Sequence, residues 1–341
     1  MVLTFKVGDT RTRSTAAGRP SATPPASRRG RSSALTRGDA AEEHAAEVGR
    51  SRYAVSKPGQ GTLMPLLTLA EVTLSYGCAG THGPRVLMVQ GVGCVGEGWR
   101  PQIEDLARDH QVAWLDNRGI GGSLPLSGAV TIEAMARDCQ HLIRHLGWDR
   151  VHLVGHSMGG VIVQQVARDM PAHTASLTLM STVRRGRDAS IPSLASIVVS
   201  LRTRFGSDRA RWLKAAALPF PPAYRATLPD DEQLRLMQMI FCRDFLSTPA
   251  IVRKQVAALW AHRGGDMAGL MSTPTLIVTG AQDIVVHTRH SDDLKAQLPQ
   301  ARLQRLADAG HGVPLQHAAA VNQLLRDHFR GASGDIAVPR A

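Results

Sequence analysis

Five residues, Gly155-His156-Ser157-Met158-Gly159, carry the strongest chemical signal in this sequence. An apolar run, Arg150–Gly155, precedes them, and a helix-period stretch, Val161–Met170, follows. A serine on a sharp strand-to-helix turn presents its hydroxyl clear of the backbone, and the flanking glycines leave room for the turn. The start of the helix beneath it favours developing negative charge. A serine hydroxyl is a weak nucleophile near neutral pH, so this chemistry requires a histidine base and a carboxylate that orients it. Asp283 follows the apolar run Leu276-Ile-Val-Thr-Gly280, and His311 sits in Ala309-Gly310-His311-Gly312. The chain order is therefore Ser157, Asp283, His311. Asp308 is the runner-up acid, but it lies only three residues from His311 and would need an awkward reach.

The elements that must hold these groups are legible in outline. A first strand is expected within Pro65–Tyr76. Further strands are expected at Arg85–Gln90, Gln111–Asp116, Arg150–Gly155, Ser176–Ser181, Thr273–Thr279 and Ala301–Leu306. Crossover helices are expected at Thr131–Leu146 and Val161–Met170. Short β-branched runs alternating with longer helical segments predict an α/β fold, doubly wound around a mostly parallel sheet. Residues 183–272 break the rhythm. They hold four helix-period stretches, Ser193–Arg204, Arg209–Ala217, Asp230–Phe245 and Thr248–Arg263, with Pro-rich turns such as Leu218–Pro222. They read as a helical insertion late in the sheet. The core is then 64–182 together with 273–331, and 332–341 reads as a flexible end.

The order of the three groups resembles the α/β-hydrolase fold family, and the resemblance covers essentially residues 66–330. Asp116-Asn-Arg-Gly-Ile-Gly-Gly-Ser123 is similar to the family's D-x-R-G-x-G-x-S segment, and Val89-Gln90-Gly91-Val92-Gly93 occupies the place of its oxyanion loop. Gln90 stands where many relatives carry histidine. The resemblance implies backbone N–H donors at Met158 and Val92, a cap formed by 183–272, and no cofactor. Asp116 and Arg118 are expected to brace their own turn rather than to react. Serine, rather than the aspartate of the family's epoxide hydrolases and dehalogenases, points to acyl chemistry on a small ester or lactone, in the manner of its esterase and enol-lactonase-like members. Carbon–carbon bond hydrolysis and perhydrolysis fit the same three residues. A ligand receptor that retains them without turnover is the reading from a different class.

Other features are weighed as structural. His156 adjoins the nucleophile and is expected to pack or to line the pocket. Cys94 is expected to be a small apolar filler and Trp99 an anchor for the helix that follows. Met237, Met239, Ile240, Phe241 and Phe245 are either cap core or an apolar acyl pocket. The remaining histidines lack metal-like spacing, and the four cysteines, Cys78, Cys94, Cys139 and Cys242, form neither a metal knuckle nor a disulfide framework, which suits a reducing, cytoplasmic setting.

In this chain of 341 residues the formal net charge is +12, and residues 1–63 hold 11 Lys and Arg against 5 Asp and Glu. Half the excess thus sits on a Ser-, Pro- and Arg-rich segment that is expected to be disordered. Three origins compete for it: an organellar transit peptide, a nucleic-acid-binding arm, and sequence upstream of a true start at Met64. Arginines without interleaved aromatic residues beyond Tyr53 argue against nucleic acid as a partner. No stretch approaches the apolar length of a membrane span. The expected partner is a small-molecule substrate.

Overall fold

In the computed structural model, residues 64–124, 128–190, 193–242, 244–247 and 249–333 are described. The segment 1–63, with the tail expected there, lies outside them, as does 334–341. Eight strands form one sheet in the order β1-β2-β4-β3-β5-β6-β7-β8. Their ranges are β1 Leu66–Thr68, β2 Thr73–Ala79, β3 Arg85–Val89, β4 Gln111–Leu115, β5 Val151–His156, β6 Thr174–Met180, β7 Thr275–Gly280 and β8 Arg302–Leu306. β1 and β2 are antiparallel, β2 joins β4 antiparallel, and all later pairs are parallel.

The pleat explains why the central strands β5, β6 and β7 are buried throughout. In β3, Leu87 and Val89 join the layer containing Ile132, Met135 and Ile162, whereas Val86 and Met88 join the layer of Trp99, Ile103 and Phe329. Alternate residues serve opposite faces, and helices cover both. The helices Ile132–His145 and Met158–Asp169 lie against the first face, and Arg100–Leu106 and Ala318–Ser333 against the second. Trp99 is fully buried at the start of Arg100–Leu106 and anchors it as expected.

Two expected elements are corrected. Pro65–Tyr76 is not one strand but part of a hairpin: Leu66 to Thr68 pair with Thr73 to Ser75, and Leu69 N–H donates to the Val72 carbonyl at 2.8 Å. The turn residues Ala70 and Glu71 are not the Gly, Pro, Asn or Asp that mark a turn in sequence. The helix expected to run through Phe245 stops at Ile240. Phe241 is extended and bridges to Cys94, a tertiary pairing that local periodicity does not register.

Between β6 and β7 the described residues form five α-helices, Leu194–Arg202, Asp208–Ala215, Pro222–Ala226, Asp230–Ile240 and Ala250–Ala261. Ser193 and Ser207 cap two of them by accepting from Ser196 N–H and Ala210 N–H, and Pro221, Pro229 and Pro249 precede the other three. Trp212, Phe220, Leu236 and Met237 give the block its own core. It grips the loop after β3 through two backbone bonds, Val95 N–H to Ile240 O at 2.9 Å and Cys242 N–H to Gly93 O at 3.0 Å.

The Asp116–Ser123 turn is held as expected by its own polar groups. Asp116 accepts from Gly96 N–H at 2.7 Å and from Gly122 N–H at 2.9 Å. Arg118 forms a buried two-pronged pair with Asp138, both bonds 2.7 Å. Removing Asp138 leaves the buried Arg118 guanidinium with only the half-exposed Glu71 carboxylate at 3.3 Å, so Asp138→Ala is expected to destabilise the fold by about 3–5 kcal/mol in urea unfolding, and Arg118→Met with Asp138→Leu by less than that.

Buried His152 shares a hydrogen bond of 2.8 Å with Ser176 Oγ and lies tilted against the Phe329 ring, and desolvation pushes it down from 6.5 to about 3. The unfolded chain therefore takes up this proton first as pH falls, and stability is lost between about 6.5 and 3. His152→Asn should flatten the fall of unfolding free energy with pH in that window by up to one proton, which a urea series from pH 7 to pH 4 measures.

Candidate active site

β5 ends at His156 and the next helix begins at Met158, which leaves Ser157 alone to reverse the chain. Its backbone takes φ 54° and ψ −123°, a left-handed conformation rare for a residue with a side chain. The turn is crowded on all sides. A Cβ at Gly159 would meet the Val89 carbonyl oxygen at 2.1 Å, and one at Gly155 would meet the Gly159 carbonyl oxygen at 2.4 Å. Both glycines are therefore demanded by close backbone approach. The Ser157 carbonyl accepts from Thr182 Oγ1 at 2.6 Å, and its N–H donates to the Met180 carbonyl at 2.9 Å.

His311 and Asp283 arrive on loops after β8 and β7. Gly280 lets these loops touch, because a Cβ there would lie 2.4 Å from the carbonyl oxygens of Ala309 and Gly310. Gln282 N–H donates to the Ala309 carbonyl at 2.8 Å and fixes the crossing. His311 Nδ1 lies 2.8 Å from Asp283 Oδ2, with the carboxylate side chain wholly buried. Asp283 Oδ1 accepts from Val285 N–H and Val286 N–H, each at 2.8 Å, so the carboxylate is fixed on both oxygens. An ionised carboxylate only accepts, which puts the imidazole proton on Nδ1 and leaves Nε2 as the basic nitrogen.

Ser157 and His311 line one cavity of about 390 Å³. Ser157 Oγ and the imidazole share this space without a closed hydrogen bond between them. Gly91 faces the serine, where an added Cβ would lie 3.0 Å from Ser157 Cβ. Val92 lines the same cavity and Met158 opens the helix beyond the serine, and neither N–H has an acceptor among the described residues.

Two bracing contacts are not legible in the sequence. Gln255, buried in the Ala250–Ala261 helix, accepts from Gly93 N–H at 2.9 Å and so braces the loop that carries Val92. Its signal is a lone amide on the buried face set by Val252 and Ala258. His156 was expected to pack or to line the pocket, and it does line it. It also donates from Nε2 to the His311 backbone carbonyl at 2.8 Å. Burial pushes it down to about 3, so it stays neutral and serves as a strut for the His311 loop.

The runner-up acid Asp308 points elsewhere: its exposed carboxylate lies 3.1 Å from His317 Nε2. Cys94 donates weakly to the Val92 carbonyl, and burial raises its thiol well above the ordinary range, which leaves it unreactive. All four cysteines are free thiols. Of the five apolar residues singled out between β6 and β7, Ile240, Phe241 and Phe245 line the cavity, whereas Met237 and Met239 belong to the core of the block. Among the described residues no cluster of His, Cys, Asp or Glu has the arrangement of a metal site, and no helix is long and apolar enough to cross a membrane.

The profile of the α/β hydrolase fold matches residues 84–318, from just before β3 to the start of the last helix. The chain belongs to the α/β hydrolase family. A RutD protein of Stutzerimonas stutzeri, named for carbamate hydrolysis, is 28% identical over 255 residues, which span 74% of this α/β hydrolase and 94% of the relative. A thermophilic esterase from Thermogutta terrifontis superposes with a TM-score of 0.63 at 25% identity, covering 80% of this chain and 99% of the esterase. The enol-lactonase of Burkholderia xenovorans LB400 shares the fold at a TM-score of 0.65 and 21% identity, covering 78% and 99%.

The left-handed conformation at Ser157 costs on the order of 1–3 kcal/mol for a residue with a Cβ. Ser157→Gly is therefore expected to raise the unfolding free energy by about 1 kcal/mol in urea titration, the reverse of the usual effect of introducing glycine.

Proposed function

We propose that this α/β hydrolase cleaves a small, uncharged carboxylic ester or lactone through an acyl-enzyme on Ser157. The observation that carries the reading is the 2.8 Å contact of His311 with buried Asp283, on a cavity that Ser157 also lines. Ser157 Oγ attacks the carbonyl carbon and passes its proton to His311 Nε2. The oxyanion is stabilised by the N–H groups of Met158 and Val92, and the dipole of the Met158–Asp169 helix adds to that field. The imidazolium, held by Asp283, then protonates the leaving alkoxide. Water enters, gives its proton to His311 and attacks the acyl carbon, and collapse of the second tetrahedral species returns the proton to Ser157 as the acid departs. Every step uses water and groups on this chain.

The helices between β6 and β7 serve as a cap and supply the acyl pocket through Ile240, Phe241, Phe245, Val252 and Leu259. None of the described residues lining the cavity is Lys, Arg, Asp or Glu. A charged substrate would lose its hydration there with no ion to replace it. The named chemistry of the relatives, on esters, an enol-lactone and a carbamate, shares attack at an acyl carbon.

A fluorophosphonate probe is expected to label Ser157 in the wild type and to leave Ser157→Ala unlabelled. With p-nitrophenyl butyrate, Ser157→Ala and His311→Ala should each lower kcat by about 10⁴-fold. The mono-p-nitrophenyl ester of succinate, the same length with a terminal carboxylate, should fall on the order of 10²-fold below the butyrate in kcat/KM. Full turnover in well-folded Ser157→Ala defeats the mechanism, and equal turnover of the two esters defeats the uncharged pocket.

A further inference from the structure

The Leu194–Arg202 helix is inverted relative to its burial. At 3.6 residues per turn, Leu194, Ile197, Val198 and Leu201 fall within about 100° of arc. That apolar stripe faces solvent, with Leu194 78% and Leu201 51% exposed, and Phe205 just beyond the helix is 71% exposed. Ser196 and Ser200, on the other side, line the catalytic cavity. An ordinary surface helix does the opposite and buries its apolar side. Trp260, in the Ala250–Ala261 helix, lines the same cavity and is 49% exposed. Five large aliphatic and aromatic side chains and a tryptophan thus project from the elements that roof the site, more than scattered surface residues account for.

The charge around the stripe selects what would cover it. Residues 193–205 contain Arg202 and Arg204 and no acidic residue, and neither arginine is paired with a carboxylate among the described residues. A second copy of the chain would bring these like charges together, whereas an anionic surface satisfies them. The stripe is the convex side of one helix rather than a groove, and a convex apolar face with an arginine rim, together with an exposed tryptophan on the same cavity, is the form that lies in the headgroup region of a bilayer.

We infer that the Leu194–Phe205 segment docks this protein on anionic phospholipid bilayers, with its apolar stripe in the interface and Arg202 and Arg204 at the headgroups. The cavity behind Ser196 and Ser200 then opens close to the lipid surface. The docking is separate from Ser157 chemistry and is read without turnover.

The test uses the full chain with vesicles of phosphatidylglycerol and phosphatidylcholine carrying bromine on their acyl chains, which quench tryptophan that reaches the interface. Expected is quenching whose Trp260 component disappears in Trp260→Phe, and which needs at least about tenfold more lipid in the Leu194→Ser, Leu201→Ser, Phe205→Ser variant. Arg202→Gln with Arg204→Gln should weaken binding to phosphatidylglycerol vesicles and leave the weak binding to pure phosphatidylcholine unchanged. Far-UV circular dichroism confirms that each variant is folded. Quenching that is absent, or identical in the serine variant, overturns the inference. Co-sedimentation without Trp260 quenching overturns it in favour of the basic segment 1–63, and a drop from dimer to monomer in the serine variant overturns it in favour of a second copy.

Discussion

Ser157 is held in a backbone conformation that its own side chain disfavours, and the surrounding structure is organised to keep it there. The strain is local, but its restraint is not. Val89 from β3, Met180 from β6 and Thr182 beyond it all close on the same turn. Gly155 and Gly159 permit this because no Cβ intervenes between the backbones. The turn depends on the parallel pairing of β3, β5 and β6, and that pairing depends on helices covering both faces of an apolar sheet. The strained serine at the strand ends is thus sustained by the stability of the whole core.

The groups that complete the site are braced in pairs by segments far away in sequence. Asp283 holds the His311 ring while His156 holds the His311 backbone, so the imidazole is restrained from two directions. Gln255 does for Gly93 what His156 does for His311. The helices between β6 and β7 are part of this bracing: Pro219 accepts from Gly312 N–H at 2.7 Å, next to His311, and Ser193 Oγ donates to the Ile284 carbonyl, next to Asp283. The block between β6 and β7 is therefore bonded to the loops that carry Gly93, His311 and Asp283 alike, and a change in its packing reaches all three.

Burial sorts the titratable groups by what they can do. His156 is kept neutral by desolvation and Cys94 is kept as a thiol, so potential reactivity at the cavity is silenced, and desolvation also keeps His152 neutral away from it. His311 is the histidine at the cavity with a carboxylate on one nitrogen. A base needs one nitrogen oriented and the other basic, and the two neighbouring imidazoles differ in just this respect.

The α/β architecture, the strand-to-helix turn at Ser157, and the loops on which Asp283 and His311 stand are all legible in the order of residues. These follow from local causes: apolar runs of strand length, helical periodicity, and glycines beside a polar residue. The tight link between β1 and β2 was not legible, because Ala70 and Glu71 carry no turn preference. The end of the Asp230–Ile240 helix was hidden too, since Phe241 leaves it to pair with Cys94 across more than a hundred residues. Only the tertiary structure decided which apolar residues face the cavity, that Gln255 and His156 are struts, and that the Leu194–Arg202 helix turns its apolar side outward. Periodicity states that a helix has two sides. Which side is buried depends on what packs against it, and that partner is chosen by contacts distant in the chain.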